Sequence, residues 1–174
     1  MLFRSPKGPN LDPAVDSNPF PSTYKPFPSE PTAIVGATVM TGDGKRIDNA
    51  TVLIRDGKFE SVGPAATVPA GYKVVDAKGR FVTPGIIDAH SHLGVYAQPG
   101  VDALSDGNEA TAPVTAEVWA EHSVWPQDEA FNATRRGGVT SMMVLPGSAN
   151  LIGGRSVTLK NVPSTTMQIG RAHV

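Results

Sequence analysis

Two histidines one residue apart, His90 and His92, are the residues of this chain best suited to chemistry. They end the segment 84–92, whose apolar residues predict a short buried strand. Because successive side chains of a strand point to opposite faces, His90 and His92 share one face with Asp88. Imidazole nitrogen is a common ligand for zinc and related ions, so the spacing fits a hydrolytic metal site. From spacing alone, a pair of hydrogen-bonded core histidines remains the alternative.

The whole segment 84–92, Pro-Gly-Ile-Ile-Asp-Ala-His-Ser-His, resembles the signature of the first barrel strand in the amidohydrolase superfamily. Residues 137–141, Gly-Gly-Val-Thr-Ser, open a second apolar segment and are also similar to these enzymes. The resemblance extends over residues 31–168 and is greatest to the imidazolonepropionase-like branch of metal-dependent amidohydrolases. It implies an α/β fold, namely the N-terminal part of a (β/α)8 TIM-like barrel preceded by part of a small β-sandwich.

The resemblance also implies an activity, the hydrolysis of non-peptide carbon–nitrogen bonds in a cyclic amide or related small substrate by a metal-activated water. It implies a divalent metal cofactor, with zinc as the first expectation, and His90 and His92 as two of its ligands. The general base and the remaining ligands are expected from later barrel strands, so no residue of this chain is assigned as catalytic. A dipeptidase of the same branch, a non-catalytic barrel scaffold and a free interaction domain at residues 32–82 are the alternatives.

The length of 174 residues is short for this architecture, since a complete (β/α)8 barrel has about 250 residues. We therefore expect an N-terminal fragment of an enzyme, inactive by itself. Residues 1–5 and 169–174 resemble translated sequencing adapters and are expected to be non-native. The predicted organisation is a Pro-rich tail at 1–31, a partial β-sandwich at 32–82 and the first barrel strands at 83–168.

Charge and composition exclude several classes of function. The formal net charge is −1, with 15 basic and 16 acidic residues, which gives no electrostatic reason to expect nucleic acid as a partner. No cysteine is present, so disulfides, thiolate nucleophiles and Cys-type metal sites are excluded. The longest apolar stretch, residues 33–40, is far shorter than the roughly 20 residues of a membrane span. The expected partner is a small-molecule substrate, whereas compartment and oligomeric state stay open.

The segment between residues 32 and 82 is predicted to form β-structure. Strands are expected at 33–40, 51–55 and 58–62, and Asp56-Gly57 should form a type I′ hairpin turn, which needs positive φ at both residues. A second hairpin is expected from residues 73–76 and 80–82 around Ala77-Lys78-Gly79. The preceding 31 residues carry eight of the 16 prolines and are interpreted as a linker or a strap.

A strand–helix–strand unit is predicted between residues 86 and 145. The helix should carry acidic residues near its N terminus and basic residues near its C terminus. Pro126 is expected in its first turn, Gly137 should close it, and the charged residues are Asp128, Glu129, Arg135 and Arg136. Residues 139–145 then form an apolar run without alternation, as expected for a parallel strand buried on both faces.

Active sites in such barrels lie in the loops that follow the strands. The first loop, residues 93–124, is far longer than the usual five or so residues. Its polar and aromatic candidates, with one just beyond it, are Asp102, Asp106, Asn108, Glu109, Trp119, His122 and Trp125. Of these, His122 is the candidate for contact with substrate or metal, and the alternative is the structural role common for a lone histidine.

The second loop, residues 147–155, contains Asn150 and Arg155, the other candidates for substrate binding. Its glycines would allow a ligand to approach backbone amides closely, and Arg155 could clamp a substrate carboxylate through two parallel hydrogen bonds. The alternative is a tight turn with a solvated arginine.

Lys160 and Asp88 have roles that the sequence leaves open. Some amidohydrolases bridge two metals with a carboxylated lysine on the fourth barrel strand. Residues 157–161 can be at most the third strand or an inserted hairpin, so Lys160 is not assigned to the metal. Asp88 either orients an imidazole or sets the register of its strand.

Overall fold

A computed structural model describes residues 25–165 of the chain. The predictions for residues 1–5 and 169–174 lie outside this range, as does most of the Pro-rich tail. Within it, the chain forms a five-stranded sheet, a three-stranded sheet and one α-helix. No helix in this range is long and apolar enough to cross a membrane.

The five-stranded sheet is built from the first five strands in sequence. They are β1 (Thr32–Met40), β2 (Arg46–Arg55), β3 (Lys58–Pro64), β4 (Lys73–Asp76) and β5 (Phe81–Val82). Their order is β3-β2-β1-β4, and β5 also pairs with β1. The pairs β1–β2 and β2–β3 are antiparallel.

The predicted turn between β2 and β3 is confirmed. Asp56 and Gly57 have φ angles of 52° and 70°, the positive values that a type I′ turn requires. The turn brings Arg55 opposite Lys58 in the ladder. Asp tolerates this backbone conformation better than most residues, and Gly adopts it freely.

The predicted second hairpin is wrong. β4 and β5 do not pair with each other, since both run parallel to β1 along the edge opposite β2. Between them, Ala77 donates its amide hydrogen to the carbonyl of Val35, and Thr38 donates to the carbonyl of Arg80, both at 2.9 Å. The turn between them, in which the Arg80 amide donates to the carbonyl of Ala77 at 2.9 Å, therefore leads from one segment of the β1 edge to the next and does not form a hairpin.

A cluster of small and branched apolar residues forms the core of this sheet. Its buried members are Ala37, Val39, Ala50, Val52 and Ala77. Phe59, Val74 and Phe81 remain exposed. The structure describes the N-terminal strands as one sheet, and the β-sandwich stays a prediction.

The three-stranded sheet contains the predicted β/α unit. Its elements are β6 (Ile86–Ser91), helix α1 (Glu129–Arg136), β7 (Val139–Val144) and β8 (Val157–Lys160). β6 and β7 are parallel and α1 lies in their connection, which confirms the strand–helix–strand prediction. The core of this half includes Met142 and Val144, which are fully buried.

Helix α1 begins and ends close to the predicted residues. Asp128 caps its N terminus by accepting a hydrogen bond from the Ala130 amide at 2.9 Å. Pro126 lies before this cap, not in the first turn as predicted. Two arginines occupy the last turn, where the helix dipole favours positive charge, and Gly137 follows as the C-cap.

The prediction that β6 is a buried strand is wrong for most of its length. Ile86 and Ile87 are 54% and 74% exposed, and only Ser91 at the end of the strand is buried. In residues 25–165, β6 pairs with β7 alone. Its apolar residues therefore lack neighbours along the second edge.

The pairing of β8 distinguishes the two predictions for residues 157–161, a third barrel strand or an inserted hairpin. β8 pairs antiparallel with β7, so the segment is the returning arm of a hairpin and not a third parallel strand. Lys160 lies on this arm and donates a hydrogen bond to the hydroxyl of Ser141 at 3.2 Å. The described part of the chain contains two parallel strands, and the complete barrel stays a prediction.

Candidate active site

The candidate site lies at the carboxyl end of β6, where the strand is irregular. Asp88 faces Met142 and Ser91 faces Val144, so β6 carries one more residue than β7 over this stretch. This bulge interrupts the strict alternation assumed from the sequence. The carboxylate of Asp88 accepts a hydrogen bond from the backbone amide of His90 at 3.1 Å. Asp88 therefore stabilises the bulged backbone, which is the register role among its two predicted roles.

Despite the bulge, the structure brings the two histidine rings together. The ring centres of His90 and His92 are 5.3 Å apart and their planes meet at 83°. A zinc ion about 2 Å from one nitrogen of each ring would lie about 3 Å from each ring centre, so two rings around a tetrahedral ion have centres about 5 Å apart. The observed spacing fits two ligands of one metal ion.

The ring of His92 is fixed by the neighbouring strand. Its Nδ1 lies 3.0 Å from the carbonyl oxygen of Leu145, the residue that follows β7. A carbonyl oxygen only accepts hydrogen bonds, so Nδ1 must carry the hydrogen and donate it. In the neutral ring, Nε2 is then the nitrogen with a free lone pair. Such a hydrogen bond is how proteins hold a metal-binding imidazole in one tautomer and orientation.

The histidine pair supplies part of a metal site and not all of it. Among residues 25–165, no group of three or more His, Asp or Glu side chains is arranged to hold a metal ion. A catalytic zinc site has three protein ligands as a rule. His122 lies exposed at the end of a short 3-10 turn (Ala120–His122), and its predicted contact with substrate or metal is untested.

The first and second loops pack tightly against each other. Isolated β-bridges join Val114 to Ile152 and Trp119 to Arg155. A Cβ atom at Gly154, where φ is 124°, would lie within 3.0 Å of the carbonyl oxygen of Val118 in the first loop. The glycines of the second loop thus allow close approach between protein segments, and amides of both loops are already used in this contact.

Asn150 connects the two loops. Its side-chain amide donates to the backbone carbonyls of Glu109 and, at 2.8 Å, of Ala112. Its Oδ1 is buried without a hydrogen-bond partner among the described residues. The structure therefore gives Asn150 a place in the loop contact, and its predicted contact with substrate is untested.

Arg155 stacks on an aromatic ring. Its guanidinium carbon lies 4.8 Å from the centre of the Trp119 ring, within the range of a cation–π contact. The stacking holds the arginine stem in place and leaves the side chain exposed overall. The predicted clamp on a substrate carboxylate is compatible with this position but untested.

A small pocket of about 50 Å³ lies between the first loop and Pro146, which follows β7. Pro146 and residues of the first loop line it, including three polar side chains, Asp106, Asn108 and Glu109. The other lining residues are Val95, Gly107, Val118, Ala120 and Ser123. Three first-loop candidates from the sequence therefore share one small polar space beside the end of β7.

Two residues near the site were not singled out from the sequence. Tyr96 packs against His92, with ring centres 5.6 Å apart and planes at 80°. Asp128 is buried and accepts hydrogen bonds from the amides of Gly94 and Gln98, both at 3.1 Å. Asp128 was interpreted only as a charge near a helix terminus. No local pattern marks Tyr96, and the contacts of Asp128 with Gly94 and Gln98 join residues about 30 positions apart in sequence.

Comparison with known proteins identifies relatives over most of the chain. Amidohydrolase tasK of Hapsidospora irregularis is 34% identical over 167 residues, which cover 86% of this chain and 17% of that protein. The imidazolonepropionase of Idiomarina loihiensis is 44% identical over 132 residues, covering 65% of this chain and 32% of the enzyme. No family model matches the chain.

A solved structure is also similar to most of this chain. The amidohydrolase from Thermotoga maritima MSB8 superposes with a TM-score of 0.75 and 38% identity over 81% of this chain. The chain spans 36% of that structure, and so corresponds to about a third or less of the length of these three relatives. By these similarities, the chain belongs to the amidohydrolase superfamily, in the branch that contains the imidazolonepropionases.

Proposed function

We propose that this chain supplies two metal ligands to an enzyme that hydrolyses a non-peptide carbon–nitrogen bond in a cyclic amide or related small molecule. The observation that carries the proposal is the paired rings of His90 and His92, 5.3 Å apart at the end of a parallel strand. The names of the relatives, amidohydrolase and imidazolonepropionase, support the reaction class.

The architecture proposed for the full-length protein is a (β/α)8 barrel preceded by a small β-sandwich. The unit β6-α1-β7 supports the barrel, because parallel strands joined by a helix are its repeating element. The five-stranded sheet supports the sandwich as one of its layers. In a barrel, the loops after β6 and β7 stand at the face where active sites form, and the histidine pair lies there.

In this proposal the Nε2 atom of His92 and one ring nitrogen of His90 hold a divalent ion, in the first place zinc. Bound there, the ion would lower the pKa of a water molecule to near neutrality and polarise the scissile carbonyl. The carbonyl of Leu145 accepts the hydrogen of His92 Nδ1 and so leaves the lone pair of Nε2 free to bind the ion. Arg155, stacked on Trp119, would bind an anionic group of the substrate.

The first prediction tests the metal pair in the full-length protein. His90→Ala and His92→Ala should each lower zinc affinity by at least about tenfold, since each removes one of few ligands. His122→Ala is the matched control and should retain the zinc affinity of the unmodified protein. Zinc content after dialysis and chelator competition measure this.

Activity completes that test. Hydrolysis of hydantoin, imidazolone and dipeptide substrates should depend on the metal and be lost in both histidine variants. Full zinc stoichiometry in the His90→Ala/His92→Ala double variant would refute the metal assignment. Preferred turnover of a dipeptide would refute the proposed substrate class while leaving the metal site intact.

A further inference from the structure

Tyr96 occupies a position that the proposed metal chemistry does not explain. It lies four residues after His92, and its ring meets the histidine ring nearly at right angles at 5.6 Å. The amides of Val95 and Tyr96 both donate to the carbonyl of His92 at 3.2 Å. The tyrosine is therefore fixed to the histidine by backbone and ring contacts together.

The far end of Tyr96 is held by both loops. Asn108 of the first loop donates from its side-chain amide to the tyrosine hydroxyl. The carbonyl oxygen of the same asparagine accepts a hydrogen bond from the amide of Ala149, in the second loop, at 3.0 Å. One asparagine thus connects the tyrosine to the loop that follows β7.

Two glycines close the space around the tyrosine. The amide of Gly147 donates to the carbonyl of Gly107, which joins the loops directly above the ring. A Cβ atom at either glycine would lie within 3.0 Å of Tyr96, a distance that real Cβ atoms do not adopt. The two glycines therefore allow both loops to approach the hydroxyl end of the tyrosine closely, while the side chain is 37% exposed overall.

We propose that Tyr96 is a positioning residue for His92, with Asn108 as the residue that holds it; this inference rests on the proposed metal site. The hydrogen bond from Nδ1 to Leu145 fixes one atom of the imidazole but leaves the ring free to tilt about that atom. The edge of Tyr96 limits this tilt. A fixed imidazole loses less freedom when it binds a metal, so affinity depends on the holding contacts.

Two variants in the full-length protein remove the same hydrogen bond from opposite sides. Tyr96→Phe deletes the hydroxyl and keeps the ring, and Asn108→Ala deletes its partner. Each should weaken zinc binding about tenfold, as measured by chelator competition. Asn108→Ala also removes the acceptor of the Ala149 amide, so it already includes the loss caused by Tyr96→Phe, and the double variant should be no weaker than Asn108→Ala alone. Tyr72→Phe is the matched control, since that tyrosine hydroxyl bonds to Glu60 of β3, and the variant should bind zinc normally.

A second readout needs no metal. Nitrogen NMR of the metal-free protein should show His92 with its hydrogen on Nδ1, and a mixture of tautomers in Tyr96→Phe and Asn108→Ala. Unchanged tautomer and unchanged zinc affinity in both variants would overturn the proposal, as would additive losses in the double variant. If the unmodified protein binds no zinc, the metal site itself fails, while the tautomer measurement still decides the role of Tyr96.

Discussion

At the residue scale, the buried side chain of Asp128 stabilises two separate segments of backbone. It is 1% exposed, and its two oxygens accept hydrogen bonds from the amides of Gly94, Gln98 and Ala130. It therefore caps α1 and also anchors the start of the first loop, which leads directly from His92. A carboxylate suits this place because it only accepts hydrogen bonds.

Replacing Asp128 should destabilise the protein more than an ordinary helix cap would. Asp128→Ala leaves three backbone amides without their acceptor, and we expect a loss of about 3 kcal/mol in the free energy of unfolding. Asp128→Asn should lose less, since one oxygen still accepts. Urea unfolding measures both. Asp102→Ala, at an exposed position of the same loop, should remain within about 0.5 kcal/mol, and an equal loss in this control would contradict the anchoring role.

Asp43 offers a second test at the residue scale, in the turn between β1 and β2. The ammonium of Lys45 at 2.7 Å, assisted by the Thr41 hydroxyl, lowers the pKa of Asp43 from 3.8 to about 2. The stabilising pair between the Asp43 carboxylate and Lys45 is therefore present at neutral pH, and it is lost only when the carboxylate is protonated as pH falls towards 2. Lys45→Met should raise this pKa towards 3.8 in an NMR titration, and Lys58→Met should not. An unchanged pKa in Lys45→Met would show that the ion pair is not the cause.

The residues that could be predicted from sequence are those whose partners lie nearby along the chain. The proximity of the His90 and His92 rings follows from their spacing, and the Asp56-Gly57 turn follows from the preferences of one turn type. Tyr96 could not be identified in this way, because its partners Asn108 and Gly147 are distant in sequence. Its role depends on the closure of two loops, which no local pattern encodes.

At the element scale, the entry to β6 is constrained by its parallel neighbour. Gly85 precedes the strand, and a Cβ atom there would lie within 3.0 Å of three side-chain atoms of Thr140, at the start of β7. The glycine of the Pro-Gly pair is therefore required for close pairing of the two strands, upstream of the histidines.

Gly85→Ala should separate the start of these strands and lower stability by about 1 to 3 kcal/mol, as expected for overpacking. Adding Thr140→Ala removes the two closest atoms and should restore part of the loss. Gly63→Ala is the control, because nothing lies within 4 Å of a Cβ atom at that position. Thermal or urea unfolding measures all three, and a Gly85→Ala variant as stable as the control would contradict the predicted overlap.

Elements were predictable where a single pattern decided them, and not where alternative pairings competed. The caps of α1 and the parallel pair β6–β7 follow from charge placement and apolar runs. β4 and β5 looked like a hairpin, but the free edge of β1 offered both segments a partner. β8 could not be assigned because a short apolar strand carries no signal for parallel or antiparallel pairing.

At the scale of the whole molecule, apolar surface remains uncovered on both sheets. Ile87 of β6 is 74% exposed and Phe59 of β3 is 73% exposed, and Phe81 and Val74 add to the surface of the first sheet. β6 also presents one edge without a strand beside it in the described part of the chain. Unpaired edges with exposed apolar residues are a recognised route to association.

The 174-residue chain expressed as written should therefore associate and show no amidohydrolase activity. Among residues 25–165 no group of three His, Asp or Glu side chains could hold a metal ion, and the proposed ligands His90 and His92 are one fewer than the three of a catalytic zinc site. Ile87→Lys places a charge on the open edge and should raise the monomer fraction in light scattering, whereas Lys58→Ala, at an exposed position of the first sheet, should not. Because the substitution changes neither histidine, the variant should leave residual zinc binding unchanged. A soluble monomer that hydrolyses hydantoin or imidazolone with zinc, and loses this activity on His90→Ala, would show that residues 25–165 already contain a complete site.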